Sequence, residues 1–264
     1  MLRPRISPCL LVHNGGLVKT ERFGNPKYVG DPINAVRIFN EKEVDEIIVL
    51  DIDATVRDRE PDYELIRRLA AECRMPLCYG GGVRKVEHFE RIVSLGVEKV
   101  AVGAACCEQP ELITKAAEVV GSQSVVAVVD ARRPTPTAPA TVLTRNASVD
   151  ARVTPADHAR RMEHLGAGEI LVNSIDRDGM RSGYDLDLVQ SVRDAVGCPI
   201  TALGGAGSLA HLGELFKQLG IIGASAGSLF VFKGVYKAVL ISYPNRADRD
   251  RLVADSLGAD GGSS

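Results

Sequence analysis

Short runs rich in β-branched and other apolar residues recur along the chain at 6–12, 46–51, 76–79, 97–102, 124–130, 169–173, 199–202 and 220–224. Each is followed by a loop carrying Gly or Asp, then by a stretch whose apolar positions fall on one helical face. This is the alternation of periods that marks successive β/α units. In 32–44 the buried side is Ala35, Val36, Ile38 and Phe39. The stretches 63–73, 86–95, 110–120, 155–165, 186–196 and 209–219 repeat the device, and a last helix is expected over about 233–240. Prolines at helix starts (Pro32, Pro110, Pro155) and glycines at helix ends (Gly96, Gly121, Gly166, Gly220) punctuate the pattern. Eight units in about 250 residues is the size of a closed α/β barrel, so the expectation is a single (β/α)₈ TIM barrel over 1–245. Residues 246–264, ending in Gly-Ala-Asp-Gly-Gly-Ser-Ser, are expected to form a partly disordered tail.

The halves of the chain echo each other. Leu50-Asp51-Ile52-Asp53-Ala54 is matched by Ser174-Ile175-Asp176-Arg177-Asp178, and Tyr79-Gly80-Gly81-Gly82-Val83 by Leu203-Gly204-Gly205-Ala206-Gly207. Gly103-Ala104-Ala105 is matched by Ala226-Gly227-Ser228. Three pairs recurring in order suggest a barrel of two (β/α)₄ half-barrel repeats. Two connections, 13–31 and 131–154, are longer than a barrel loop needs. The first carries Gly15, Gly16 and Lys19 and reads as a mobile lid over one face. The second, with Pro134, Pro136 and Pro139, reads as a flexible insertion.

Composition narrows the function classes. The 264 residues are 45% hydrophobic and 25% charged with a net charge of −2, so a sizeable core is expected and no basic block suggests nucleic acid or a membrane surface. No apolar stretch approaches the roughly 20 residues of a membrane helix, and no signal-peptide pattern follows the N-terminus. Cys9, Cys73, Cys78, Cys106, Cys107 and Cys198 form no Cys-x-x-Cys pair and read as small buried hydrophobes of a reducing, cytoplasmic protein. His13, His88, His158, His164 and His211 show no ligand spacing, so neither a metal nor a cofactor is expected; the last four fall in polar helical stretches and read as solvated.

In a barrel, residues just after the strands line the catalytic face. Gly80-Gly81-Gly82 follows the third strand, Gly204-Gly205-Ala206-Gly207 the seventh, and Ala226-Gly227-Ser228 the eighth. Glycines let backbone N–H groups approach an oxyanion, Ser228 adds a hydroxyl, and Asp178-Gly179 can close the same pocket. Tight βα turns would also use such glycines, but loops after strands seven and eight together match the barrel phosphate site. The Gly81, Gly82 side is weaker, because the paired loop after strand four offers only Gly103 and Ala104. Among the carboxylates, Asp51 and Asp130 end strands two and five, and Asp176 and Asp178 follow strand six. Asp130 closes the apolar run Val125–Val129 and is the preferred acid–base candidate.

Over nearly its whole length, from Arg3 to about Phe232, the chain resembles the HisF-type cyclase subunit of imidazole glycerol phosphate synthase. The resemblance is carried by Pro8-Cys9-Leu10, Val18-Lys19, Gly30-Asp31-Pro32, Leu50-Asp51-Ile52, Gly80-Gly81-Gly82-Val83, Leu165-Gly166-Ala167-Gly168-Glu169-Ile170, Asp176-Arg177-Asp178-Gly179, Gly183-Tyr184-Asp185 and Gly204-Gly205-Ala206-Gly207. It implies a barrel that takes ammonia from a separate HisH-type glutaminase, passes it along its axis, and uses it to cleave and cyclise a bis-phosphorylated ribulosyl intermediate. It also implies Lys19 as a ligand-binding residue. The family's acid–base pair stands at the tops of strands one and five; Asp130 matches the second, but the first position is Leu11. The family's Asn-Thr phosphate pair after strand four is Gly103-Ala104 here, its serine after strand seven is Leu203, and its threonine after Asp-Gly is Met180. A charged ring that closes the ammonia entrance is matched in full by Arg5, Glu46, Lys99 and Glu169, with the Glu98–Lys99 edge expected against the glutaminase.

That combination resembles a cyclase-like branch associated with amidination of surface-polysaccharide sugars, in which ammonia goes on to an ATP-dependent sugar amidotransferase. Leu11, the run from Lys27 to Ala35, and Gly227-Ser228-Leu229-Phe230-Val231-Phe232-Lys233-Gly234 carry this likeness. The expected function is therefore a non-cyclising, ammonia-conducting subunit that binds a phosphorylated small molecule. The alternatives are a working cyclase of histidine biosynthesis and a sugar-phosphate isomerase, a related two-aspartate family that also needs an acid at position 11.

Overall fold

The computed structural model describes residues 3–258 apart from 136 and 235. Eight parallel strands close on themselves: β1 (Arg5–His13), β2 (Ile47–Asp51), β3 (Leu77–Gly80), β4 (Lys99–Val102), β5 (Val125–Arg132), β6 (Glu169–Ser174), β7 (Ile200–Leu203) and β8 (Gly223–Ala226). Each pairs with the next, and the circle closes with Arg5 of β1 opposite Gly223 of β8. The helices are α1 (Pro32–Glu41), α2 (Tyr63–Glu72), α3 (Val86–Ser94), α4 (Ala104–Glu108), α5 (Glu111–Val120), α6 (Pro155–His164), α7 (Leu186–Arg193), α8 (Leu209–Leu219), α9 (Ser228–Val231) and α10 (Arg246–Leu257). This is the (β/α)₈ TIM barrel that the alternating pattern predicts. No helix among the described residues is long and apolar enough to cross a membrane.

Side-chain alternation along the strands splits the core in two. In β1, Ile6, Leu10 and Val12 face outward and join the layer between sheet and helices. Cys9 and Leu11 face inward with Ile48, Cys78, Ala101, Val126 and Leu171, which fill the barrel axis. Local chemistry starts the helices: the Asp31, Thr154 and Ser208 side chains accept from backbone N–H groups in the first turns of α1, α6 and α8.

Four expectations are corrected. Residues 13–31 do border one face, through Lys19, Thr20 and Phe23, but as a β-ribbon and not an irregular loop: Gly16–Glu21 turns back antiparallel to β1, Leu11 opposite Val18, and pairs with Gly24–Gly30. Residues 131–154 are no flexible insertion either, since Thr141–Thr144 pairs with the end of β5 and with Val149–Asp150; Pro136 lies outside the described residues. The expected helix over 233–240 is a short hairpin, Phe232–Lys233 against Ala238–Val239. Much of the expected tail is the helix α10, packed on α8, with the buried Arg249 donating to the Glu43 carbonyl at 3.0 Å; its low amphipathicity hid it from a periodicity reading. Residues 259–264 lie outside the described residues.

Candidate functional site

The C-terminal ends of the strands surround a pocket of about 1200 Å³, counted with its open mouth. Its floor is apolar, made by Cys9, Leu11, Leu50, Ala101, Val128 and Leu203. Leu11 occupies the inward position one pleat above Cys9 on β1, so the site offers hydrocarbon there.

Asp130 enters from the top of β5. The β5–β6 register sets Asn173 beside it, and Asn173 Nδ2 donates to Asp130 Oδ1 at 2.8 Å. Burial pushes the Asp130 carboxyl up to about 6; the Asn173 bond works against that, and nearby Asp178 adds to it. Asn173 was not singled out from the sequence, because a single Asn in an apolar run gives no signal until its strand partner is known. Its Oδ1 is buried without a hydrogen-bond partner among the described residues, so its position is held by the bond to Asp130 and by packing.

The other carboxylates are committed to structure. Asp51 Oδ1 accepts from the Asp53 and Ala54 amides at 2.9 and 3.1 Å, fixing the turn after β2. Asp176 does not line the pocket, and its Oδ2 accepts from the Arg133 amide at 2.8 Å. Asp178 does line it, but Asp178 Oδ2 accepts from Thr20 Oγ1 at 2.7 Å and from the Phe23 amide at 3.2 Å. The Asp178 carbonyl also accepts from the Arg22 amide at 3.0 Å. Asp178 thus latches the ribbon 16–30 to the loop after β6 from a position on the pocket wall.

Of the expected anion-binding residues, Gly179, Gly204, Gly205, Gly227 and Ser228 all border this pocket. The four glycine amides among them make no turn, loop or cap hydrogen bond among the described residues, so they are free to donate. Gly205 is held at φ +105°, and a Cβ there would lie 2.1 Å from the Gly183 carbonyl oxygen; only glycine fits this wall. Lys19 lies beneath them, buried, with Nζ donating to the Cys9 carbonyl at 2.5 Å. Burial lowers its affinity for the proton, against the pull of Cys9 and Asp178. On the opposite side Gly81 borders the pocket, but the Gly82 amide donates to Thr55 Oγ1 at 3.2 Å and Gly82 does not line the space, which corrects the expectation for that residue.

The hairpin after β5 supplies a further group. Arg145 reaches the far wall of the pocket, where Nε and Nη2 donate to the Glu108 carboxylate at 2.9 and 3.3 Å and Nη1 to Asp58 at 3.4 Å. Asn146 Nδ2 donates to the Ile52 carbonyl at 2.8 Å and pins the tip across the mouth. Neither residue was foreseen, because the loop gave no periodic pattern to place them.

At the other end of the axis the four expected ring residues meet. Lys99 Nζ lies 2.6 Å from Glu46 Oε1 and 2.7 Å from Glu169 Oε2. Arg5 lies 2.9 Å from Glu169 and 3.6 Å from Glu46, and Thr201 Oγ1 donates to Glu169 Oε1 at 2.6 Å. Burial alone would push the Glu169 carboxyl up, but Lys99 and Arg5 outweigh it and hold the carboxyl below its ordinary range. The ring is a closed two-plus, two-minus circuit across the barrel floor. Its neighbour Glu98 spends one oxygen on the Leu77 amide at 2.7 Å.

All six cysteines are free. Cys107 Sγ lies 3.7 Å from His158 Nε2, but burial pushes the thiol up to about 11 and the imidazole down to about 4, so both are neutral at pH 7 and the pair is no activated nucleophile. His88 and His158 are buried, contrary to the solvated reading, because their helix faces turn inward. Among the described residues no group of three or more His, Cys, Asp or Glu side chains is placed to hold a metal.

The profile of the family described as "Histidine biosynthesis protein" matches residues 5–237. The chain is 53% identical over 252 residues, 96% of its length and 99% of the relative's, to a Leptospira interrogans protein provisionally named imidazole glycerol phosphate synthase subunit HisF. It is 51% identical over 245 residues, 93% of its length and 97% of the relative's, to a Pseudomonas aeruginosa protein provisionally named subunit hisF2. It is 40% identical over 233 residues, 88% and 92% of the two lengths, to the imidazole glycerol phosphate synthase subunit HisF of Clostridium botulinum.

Proposed function

Since the chain belongs to the histidine biosynthesis protein family, as a HisF-type subunit, we propose that it is a barrel that conducts ammonia without performing the cyclisation. The observation that carries this reading is Leu11 on the pocket floor, where the resemblance calls for the strand-one acid–base carboxylate that would partner Asp130. A positioned acid or base contributes about 10²–10⁴-fold, and a leucine contributes no proton transfer. Asp51 and Asp178 border the same pocket, but each already has a carboxylate oxygen committed to backbone or side-chain donors.

Ammonia would enter from a HisH-type glutaminase docked on the barrel floor and pass the ring of Arg5, Glu46, Lys99 and Glu169. Above the ring the axis is lined by Cys9, Ile48, Cys78, Ala101, Val126 and Leu171, which offer a small neutral solute no charged group to exchange protons with. At the far end Asp130 and the cradle of Gly179, Gly204, Gly205, Gly227, Ser228 and Lys19 receive a phosphorylated ligand, whose binding reports occupancy of the face. The onward acceptor is an ATP-dependent sugar amidotransferase of surface-polysaccharide synthesis. In support, the relatives at 50–53% identity bear provisional or numbered HisF names, and those named plainly as the synthase subunit stand at 39–40%. Protein purified with its glutaminase, supplied with glutamine or ammonium and the ribulosyl bis-phosphate, is expected to release ammonia and form no imidazole product. Rapid cyclisation would overturn the proposal in favour of a histidine-biosynthetic cyclase.

A further inference from the structure

Beside the main pocket, a smaller hollow of about 510 Å³, counted with its mouth, opens between the ribbon 16–30, the loop after β6 and the hairpin after β8. Lys19, Thr20, Gly179 and Ser228 border both spaces, so the anion cradle forms their common wall. Lys27, Arg181 and Lys237 line the hollow with Glu21 as its one acid. Lys237 is neutralised by Glu21 at 2.5 Å. Lys27 Nζ stands 5.1 Å from the Phe232 ring centroid, and Arg181 makes a single long contact, Nη2 to the Gly207 carbonyl at 3.5 Å. Among the described residues neither Lys27 nor Arg181 has a carboxylate within 4.0 Å. Two cations next to the cradle are therefore unspent.

The opposite wall has the reverse balance. Gly103 and Ala104 bring no side-chain donor, and Arg145 is matched by Glu108 and Asp58. A ligand with a phosphate at each end, lying across the mouth, meets free positive charge at one end only. A ligand with two adjacent phosphates can set one on the free amides of the cradle and the other against the two free cations.

We propose that this face binds a diphosphate ester, one phosphate in the cradle of Gly179, Gly204, Gly205, Gly227, Ser228 and Lys19 and the other in the hollow against Lys27 and Arg181. The proposal deepens the functional reading above and rests on it, since that reading frees the face from holding a bis-phosphate across the mouth. Guanidinium and ammonium groups bind phosphate oxygens through charge-assisted hydrogen bonds, the strong class of such bonds.

The test is calorimetric titration of the full chain, at fixed pH and ionic strength, with inorganic phosphate, pyrophosphate and fructose 1,6-bisphosphate. The last carries two phosphates set apart, and so controls for charge alone. Pyrophosphate is expected to bind at least about tenfold more tightly than phosphate, the scale of one charge-assisted hydrogen bond, and more tightly than fructose 1,6-bisphosphate. In the Lys27→Gln, Arg181→Gln double variant the preference should fall to within about threefold while phosphate affinity is kept. Fructose 1,6-bisphosphate binding as well as or better than pyrophosphate would overturn the proposal, as would an undiminished preference in the double variant. If that variant fails to fold, the ranking of the three ligands on the unaltered chain still decides. The assay contains neither glutaminase nor turnover, so its failure is separable from a positive cyclisation result.

Discussion

Replacing Asp130 by asparagine should stabilise the protein at neutral pH and leave it unchanged in acid. The side chain is half-buried at the top of β5, and burial raises its carboxyl from 3.8 to about 6. The folded value lies above the unfolded one, so between about pH 4 and pH 6 the native state binds more protons than the unfolded chain. The contribution of this carboxyl to stability must then fall as pH rises through that window. At about 1.4 kcal/mol per tenfold in proton affinity, the ionised carboxylate costs about 3 kcal/mol above pH 7. Asparagine keeps the shape and an oxygen to accept from Asn173 Nδ2, but carries no charge to desolvate. Urea unfolding of both proteins from pH 4 to pH 8 should show a stability difference near zero at the acid end that grows to about 3 kcal/mol and levels off above about pH 7. A pH-independent difference, or a variant less stable at pH 8, would refute the argument that burial governs this carboxyl. Such a cost at a site residue is the expected signature of a group retained for function at the expense of stability.

Three further outcomes follow from the same contacts. Asn173→Leu removes the donor that favours the ionised form, so Asp130 should titrate higher than about 6 in carbon-13 NMR of its carboxyl; a value at or below 6 would show that the bond does not hold the charge. Lys99→Met leaves Glu46 and Glu169 with only Arg5 to balance them and should cost about 3–5 kcal/mol in urea unfolding, whereas a loss under about 1 kcal/mol would mean that water already screens the ring. Burial, with Arg161 adding to it, lowers the His158 imidazole to about 4. At this site the unfolded chain then binds more protons, so the imidazole's contribution to stability, fully present above about pH 6.5, should fall by about 1.4 kcal/mol per pH unit towards pH 4, as read from the difference between wild type and variant. His158→Gln should flatten that slope, and an unaltered slope would assign the proton elsewhere.

Whatever repeats over short spans was legible in the sequence. The runs ending in Asp51, Gly80 and Leu203, with amphipathic stretches between them, specify β/α units because strand and helix periods are local properties of the chain. Eight such units have few ways to bury their apolar faces other than a closed barrel. The inward positions of Arg5, Glu46, Lys99 and Glu169 could be expected from the resemblance, and their meeting follows once barrel closure brings β1, β2, β4 and β6 around one axis. The places of Gly204, Gly205 and Gly227 at the C-terminal mouth were readable for the same reason, whereas that their amides are unspent and the Gly82 amide is not is decided by the structure.

Tertiary structure alone decided the groups whose partners lie far along the chain. Asp178 borders the pocket and also latches Thr20, 158 residues away, because the ribbon 16–30 pairs with β1 and lands beside the loop after β6. Asn173 gains its role only when β5 and β6 align to set it opposite Asp130. Arg145 reaches the pocket because the connection after β5 folds into a hairpin, and α10 holds to the barrel through Arg249 and α8 rather than through any amphipathic stripe of its own. In each case the deciding free energy is a hydrogen bond, an ion pair or a packing contact between distant segments. No local period encodes such contacts, so they exist only once the barrel has closed.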